Sequence, residues 1–267
     1  MLNVKIPALA VLVVLLLVPS SVAIQAADAT STIDVRYLGA NGWAVTIGQR
    51  VLIFDYQEET DPSPPPYGER DLAHGYIDPE ELAGLDVCVF VTHSHFDHYD
   101  RVIYRWEREL ESIVYVFGWE AGANPDHHYL DEWREHLSLD GMEIYTIYSH
   151  HSGVPEVAYL VLVDDVILYH NGDYKADYES DFEYLRTIVD RIDVAFLIGH
   201  PVADHAYFQQ ALRMAELFDV GTIFPMNREG EAYRCHDYAS LLIEHGVEST
   251  ILVAEVRGDV SEIPGSN

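Results

Sequence analysis

The chain has 267 residues, of which 49% are hydrophobic, and this length and composition fit one sizeable globular domain. Its 45 acidic and 15 basic residues give a formal net charge of -30, which argues against a nucleic-acid partner because phosphate binding requires a basic surface. Lys5 and Lys175 are the only lysines. The acidity has two open interpretations: an adaptation to high salt, or simply an acidic soluble protein.

Residues 1–27 are predicted to be a cleaved signal peptide, followed by a single domain over residues 28–267. Lys5 supplies a positive start, residues 8–18 are apolar, and residues 19–23 offer the small side chains that signal peptidase recognises. The apolar run is too short for a convincing membrane span. We therefore expect a periplasmic or extracellular protein that has no membrane association after cleavage.

The chain has two cysteines, Cys88 and Cys235, and neither lies in a C-x-x-C motif. Export permits a disulfide bridge, but two cysteines do not define a disulfide framework. Two free thiols, one of them buried, are the default expectation, with a Cys88–Cys235 bridge as the alternative.

Three strands are predicted near the start, over residues 33–38, 43–47 and 51–55, with a turn holding Asn41 between the first two. Asp55, at the end of the third strand, either forms a turn or braces a neighbouring loop. Residues 57–78 contain four prolines and form a long loop, which either overhangs a site or is a plain surface excursion. A short helix is expected to begin at Asp78 and Pro79.

The next stretch carries the strongest chemical signal. Residues 87–91 are an apolar run typical of a buried strand, and the chain then reads H-x-H-x-D-H through His93, His95, Asp97 and His98. His93 and His95 are two positions apart, so in extended chain their imidazoles point to the same side. Three imidazoles and a carboxylate within six residues suit zinc, with manganese or iron as alternatives, whereas the competing interpretation is a histidine-rich surface loop.

At these residues the sequence resembles the metallo-β-lactamase-fold hydrolases, most closely the branch containing the ascorbate-6-phosphate lactonase-like proteins. The resemblance implies an α+β fold, a four-layer αβ/βα sandwich with a site for one or two metal ions along one edge. It also implies that Asp97 and His98 face a second ion a few ångströms from the first.

Beyond the motif, an amphipathic helix is predicted over residues 102–113 and a strand over 114–117. Residues 118–137 are predicted to be irregular. They contain His127, His128 and His136, which we interpret as residues of the surface or of a pocket rim because none follows a predicted strand.

Two further ligands follow from the resemblance. A strand over residues 142–148 leads into His150, His151 and Ser152, and the family pattern of a histidine followed by serine favours His151, with His150 as the alternative. A hairpin over residues 157–169 leads into the sequence Tyr-His-Asn-Gly-Asp that ends at Asp173. The resemblance assigns Asp173 as the carboxylate that bridges two ions or binds the second alone, with His170 in a supporting role.

The last expected ligand is missing. A helix is predicted over residues 181–189, a buried strand over 193–198, a helix over 209–218 and the last core strand over 222–227. That strand ends Pro-Met-Asn, where the family has a histidine. Three alternatives stay open: Asn227 binds the second ion, His200 or His236 substitutes for the histidine, or the second site is weak or empty.

The predicted function is that of an exported hydrolase that uses a metal-bound hydroxide on a small-molecule ester, lactone or phosphodiester, with one or two zinc ions. Asp97 is predicted to orient the attacking water or accept its proton as well as to bind an ion. The alternative is a metal-binding protein of the same fold with an eroded second site and little catalysis. Asn41 and Asn227, both in place of histidines common in the branch, motivate that alternative.

Overall fold

The computed structural model describes residues 32–120, 122, 124–227 and 230–265, so the predicted signal peptide lies outside the described residues. Fourteen strands within these ranges form two sheets of seven. In chain order they are β1 (Thr32–Gly39), β2 (Gly42–Ile47), β3 (Arg50–Phe54), β4 (Asp86–Val91), β5 (Ile113–Phe117), β6 (His128–Tyr129), β7 (His136–Leu139), β8 (Met142–His151), β9 (Val154–Val163), β10 (Val166–His170), β11 (Arg191–Ile198), β12 (Asp219–Met226), β13 (Thr250–Ile251) and β14 (Val260–Pro264).

Both sheets are mixed and follow the same plan. The first has the order β14-β1-β2-β3-β4-β5-β6 and the second β13-β12-β11-β10-β9-β8-β7. In the first sheet the pairs are antiparallel from β14 to β3 and parallel from β3 to β6. In the second they are antiparallel from β7 to β10 and parallel from β10 to β13. Loops that follow parallel strands therefore collect at one edge of each sheet.

Helices cover the outer faces of the sheets. The helices α1 (Tyr178–Arg186), α2 (Ala206–Leu217) and α3 (Ala232–Glu244) pack on the second sheet, where Phe182, Phe208 and Leu242 join one hydrophobic cluster with its outward-facing residues. Short 3₁₀ helices at Pro79–Leu82 and Arg101–Arg108 cover the first sheet. The predicted four-layer αβ/βα sandwich is confirmed. None of the helices in the described ranges is long and apolar enough to cross a membrane.

Aromatic side chains fill the space between the two sheets. Trp43 of the first sheet lies 5.0 Å, centroid to centroid, from both Phe196 and Phe224 of the second. Phe54 stacks on His170 at 5.2 Å with the rings 4° from parallel. Such ring pairs contribute about 0.5–1.5 kcal/mol beyond the burial of their surface. This layer fixes the strand ends from which the site loops emerge.

Several predicted elements differ from the structure. The amphipathic helix predicted over 102–113 is a 3₁₀ helix at Arg101–Arg108, and its three residues per turn align the buried Ile103 and Trp106 on one side. The strand predicted as the last is followed by α3, β13 and β14, so that prediction was wrong. The stretch predicted to be irregular contains β6 and the start of β7, which have two and four residues.

The two cysteines are free, as the default expectation had it, but both are buried, whereas only one was expected to be. Cys88 lies in β4 and Cys235 in α3, so they belong to different layers of the sandwich.

Candidate metal centre

The loops that carry the predicted ligands meet where strand ends of the two sheets come together. His93 and His95 follow β4, His151 ends β8 and Asp173 follows β10. Gly172 has φ +52°, and a Cβ added to it would lie 2.9 Å from the Cβ and Oγ1 of Thr92. A glycine is therefore required for the loop of Asp173 to approach the loop of the histidine motif.

Three imidazoles form the first group of candidate ligands. His93 Nε2 lies 3.1 Å from His95 Nδ1. The ring of His151 lies 5.5 Å from that of His93 and 5.2 Å from that of His95. Two nitrogens bound to one tetrahedral zinc, at about 2.0–2.1 Å each, would be about 3.4 Å apart, so the spacing of His93 and His95 suits a shared ion. His150 lies outside this group, exposed and 3.2 Å from the hydroxyl of Tyr148.

The second group contains His98, Asp97 and Asp173. His98 Nε2 lies 3.6 Å from Asp173 Oδ2 and 4.0 Å from Asp97 Oδ2. The same Oδ2 of Asp173 lies 3.3 Å from His151 Nε2 and 4.0 Å from His93 Nε2. The Asp173 carboxylate thus faces both groups, which is the placement of a shared ligand.

One group of three candidate ligands stands out among the described residues. The ligand atoms of His93, His98 and Asp173 all lie within 4.8 Å of one another. Burial opposes the charged form of Asp173, but the imidazoles of His98 and His93 outweigh it and hold the pKa below its usual range. Burial and the neighbouring His98 lower the pKa of His93 to about 2. Burial would lower the pKa of His98, but Asp55 and Asp173 outweigh it and raise the pKa well above its usual range. An ionised carboxylate and a neutral imidazole are the forms that bind metal, so this donor set fits a borderline divalent ion that binds His98 in exchange for its proton.

Asp55 contacts His98, a member of the second group, from the buried side of the ring. Its buried carboxylate accepts hydrogen bonds from Thr92 N at 2.7 Å and Thr92 Oγ1 at 2.8 Å, and it lies 2.7 Å from His98 Nδ1. Burial would raise the pKa of Asp55, but His98 and His170 outweigh it and lower the pKa. The ionised Asp55 accepts a hydrogen bond from the Nδ1–H of His98, and this directs Nε2 of the ring to the site. Of the two interpretations of Asp55, the bracing role is the one this contact supports.

His170 is a structural link. Its buried ring has Nε2 3.1 Å from the carbonyl oxygen of Asn41, and its Nδ1 accepts a hydrogen bond from Gly172 N at 3.2 Å. This neutral imidazole ties the turn between β1 and β2 to the loop of Asp173, in keeping with the supporting role that the resemblance implies.

Asn41 lies in the site, although the sequence marked it only as a replacement for histidine. Its Nδ2 is 2.8 Å from His98 Nε2, and its side chain is nearly inaccessible, with 6% of the residue exposed. The Asn41 amide therefore lies next to His98 Nε2, the ring nitrogen that faces the site because Nδ1 contacts Asp55. The only sequence signal was its position in the first predicted turn.

The three candidates for the missing ligand each have a partner outside the two ligand groups. Asn227 donates from Nδ2 to Gly199 O at 3.0 Å. His200 stacks on His205 with ring centroids 3.6 Å apart, and His236 lies 2.5 Å from Glu255 on exposed surface. Within the described ranges, neither His200 nor His236 belongs to a group of three histidine, cysteine or carboxylate side chains that could hold an ion.

Glu156 is a residue that sequence reasoning missed. It is fully buried in β9, accepts from Ser149 Oγ at 2.8 Å and from Asp173 N at 2.5 Å, and its Oε1 lies 3.8 Å from His93 Nδ1. Burial, with the charge of Asp173, raises the pKa of Glu156 to about 8. A glutamate inside an otherwise apolar strand was the signal that could have found it.

This raised pKa predicts an unusual response to pH in protein freed of metal by a chelator. Between the unfolded pKa near 4.5 and about 8, the folded chain holds a proton on Glu156 that the unfolded chain has lost, so stability falls as pH rises. Glu156→Gln has no charge to bury, and its Oε1 can accept from Asp173 N while its Nε2 donates to Ser149 Oγ, which reverses that bond. We expect its urea midpoint to match wild type at pH 5 and to exceed it at pH 9. Glu244→Gln, at an exposed position, is the control and should follow wild type at both.

Comparison with known proteins gives the family. A family model described as a beta-lactamase superfamily domain matches residues 34–227, and the chain therefore belongs to the beta-lactamase superfamily. A search of curated proteins finds no significant match.

Solved structures share the fold at low sequence identity. The chain is similar to Igni18, a metallo hydrolase from Ignicoccus hospitalis, with a TM-score of 0.64 and 17% identity over 87% of this chain and 99% of that one. It is also similar to the metallo-beta-lactamase fold protein YhfI from Bacillus subtilis, with a TM-score of 0.59 and 15% identity over 87% and 100%. The diiron β-hydroxylase CmlA from Streptomyces venezuelae matches with a TM-score of 0.58 and 10% identity over 87% and 54%. These likenesses establish the fold alone.

Proposed function

We propose that this protein is an exported metal-dependent hydrolase that acts on an ester, lactone or phosphodiester bond of a small molecule, with zinc as its ion, and that it belongs to the ascorbate-6-phosphate lactonase-like branch. The observation that carries the proposal is the Asp173 carboxylate, placed within 4.0 Å of imidazole nitrogens from both ligand groups. The likeness to Igni18, a metallo hydrolase of the same fold, agrees with this assignment.

Each residue of the site has a role in this proposal. His93, His95 and His151 would hold one ion, and Asp97, His98 and Asp173 would hold or share a second. Zinc held by these residues would lower the pKa of a bound water towards neutrality and would polarise the bond to be broken. Asp97 keeps 26% of its side chain exposed, so it can hydrogen-bond the attacking water and accept its proton.

A second candidate function is a metal-binding protein of this fold with little turnover. Asn227 favours it, because its amide is engaged with the Gly199 carbonyl in place of a histidine aimed at the ions. The two candidates differ in the number of ions bound and in hydrolysis.

Metal content of the purified mature protein, by elemental mass spectrometry, tests the proposal together with a screen of esters, lactones and bis-p-nitrophenyl phosphate. For the hydrolase we expect about two ions per chain, lost largely in His93→Ala, and turnover of one substrate class. About one ion, rising to two only in Asn227→His, with no turnover of any substrate, would favour the second candidate. A protein that binds no metal would contradict both.

Export is part of the proposal and has its own test. Expression of the full chain in a bacterial host, followed by N-terminal sequencing of the purified protein, should give a first residue close to position 28 and recovery outside the cytoplasm. An intact Met1 on cytoplasmic protein would count against export.

A further inference from the structure

A cleft opens between the two sheets at the edge opposite the metal centre. Its volume is about 410 Å³, within the range that holds small molecules. Strand β8 begins at the cleft with Met142 and ends at the metal centre with His151. At about 3.3 Å per residue, the two ends of this strand lie roughly 30 Å apart. The cleft is therefore separate from the candidate ligands, and the proposed hydrolysis makes no use of it.

The floor of the cleft is apolar. Leu52, Cys88 and Met142 line it, and all three belong to the hydrophobic cluster between the sheets. Val114 is half-buried and packs against the same cluster. Burial raises the pKa of the Cys88 thiol, so this side chain stays protonated and acts as an apolar wall. The floor thus suits an aliphatic group of a ligand and offers it no charge.

A guanidinium reaches across the mouth of the cleft. Arg50 begins β3 in the first sheet, and its Nη2 would lie 3.4 Å from a Cβ added to Gly141, in the turn between β7 and β8 of the second sheet. Among the described residues, no carboxylate oxygen lies within 4.0 Å of this guanidinium, and Arg50 makes no side-chain hydrogen bond. Its positive charge is therefore available to a ligand.

Two carboxylates line the same mouth. Asp140 lies in the β7–β8 turn with φ +48°, and Asp86 begins β4, where its Oδ1 accepts a hydrogen bond from Ser112 Oγ at 2.8 Å. Both carboxylates are exposed. A ligand with a single negative charge would be repelled by these two carboxylates, and a ligand with a single positive charge would be repelled by the guanidinium of Arg50. A zwitterion has a partner of opposite charge for each of its groups.

We propose that this cleft binds a free α-amino acid with an aliphatic side chain. The α-carboxylate pairs with Arg50, and the ammonium group pairs with Asp86 and Asp140. The aliphatic side chain lies on the apolar floor, where its burial favours binding. This inference does not depend on the proposed hydrolase activity, because none of the residues that line the cleft is a candidate metal ligand.

Calorimetric titration of the zinc-loaded protein with leucine and three analogues tests the proposal. The analogue 4-methylpentanoate lacks the ammonium group, 3-methylbutylamine lacks the carboxylate, and glycine lacks the side chain. We expect leucine to bind with a Kd of about 1 mM or lower, and each analogue to bind at least about fivefold more weakly. An analogue that binds as tightly as leucine, or no binding of leucine, would overturn the proposal.

Variants locate the binding site. Arg50→Met keeps an unbranched side chain without the charge and should weaken leucine binding about fivefold to tenfold. The control is Arg105→Met, which removes the same charge from an exposed position on the 3₁₀ helix Arg101–Arg108 and should bind leucine as wild type does. Wild-type affinity in Arg50→Met would show that leucine binds elsewhere.

Removal of the metal separates the cleft from the metal centre. An amino acid can also coordinate a zinc ion through its amine and carboxylate groups, and binding of that kind would need the ion. Wild-type protein freed of metal by a chelator, and then dialysed, should bind leucine with the same affinity as the zinc-loaded protein. Loss of leucine binding together with the metal would assign the amino acid to the metal centre and overturn the cleft.

Discussion

Asp173→Asn is expected to lower metal affinity by at least about 100-fold and to abolish any hydrolysis. The carboxylate faces His93, His98 and His151 together, so its loss weakens both ligand groups at once. Removing a residue that only supports a ligand already costs about 10–100-fold, and a direct ligand should cost more. An amide has the same shape, so the fold should persist.

Competition with a chromophoric chelator measures this affinity. The matched control is Asp164→Asn, which removes a carboxylate from the exposed turn between β9 and β10 at φ +51°, a conformation that asparagine tolerates well. The control should bind metal as wild type does. If Asp173→Asn kept its metal at the same chelator concentrations as the wild-type protein, Asp173 would not be a ligand.

Asp55→Asn is expected to destabilise the fold by about 3 kcal/mol and to lower metal affinity by about 10–100-fold. Asp55 is fully buried and accepts hydrogen bonds from Thr92, so an amide in its place leaves at least one buried group poorly matched. The substitution also weakens the hydrogen bond between residue 55 and His98 Nδ1, which orients His98 Nε2 towards the site. Because Asp55 has φ +46°, asparagine is a better replacement than alanine.

Urea denaturation in chelator gives the stability effect, and competition for metal gives the affinity effect. Thr92→Val is the comparison, because it removes the contacts of the Thr92 hydroxyl with Asp55, His93 and His98 but leaves the 2.7 Å contact between Asp55 and His98 Nδ1. It should cost only about 1 kcal/mol. If Asp55→Asn were no more damaging than Thr92→Val, the carboxylate would not be bracing the site.

The histidine motif could be predicted from sequence because its signal is local. His93, His95, Asp97 and His98 lie within six residues, directly after a β-branched apolar run that formed the buried β4. The four-layer fold followed from the resemblance that these residues carry. Strands with clear alternation or continuous apolar runs were also predicted close to their observed positions.

Residues whose roles depend on distant partners could not be predicted in the same way. Asn41 contacts His98 57 positions away, and Asp55 contacts Thr92 37 positions away. Glu156 reaches the backbone of Asp173 only because β9 and β10 pair as neighbours. Strand β14 is short and partly polar, and it forms by pairing with β1 at the other end of the described chain. In each case the signal lies in tertiary contact, not in the local pattern.

The origin of the ligands in two different sheets has a consequence for the stability of the fold. His93 to His98 extend from the first sheet, whereas His151 and Asp173 extend from the second, and both thiols are free. A bound ion would then act as a reversible cross-link that closes the long loop between His98 and Asp173, a task that a disulfide performs in many secreted proteins. Metal at 100 times its dissociation constant would add about 2.7 kcal/mol to the free energy of unfolding. The free energy of unfolding would thus depend on the concentration of free metal ions around the protein.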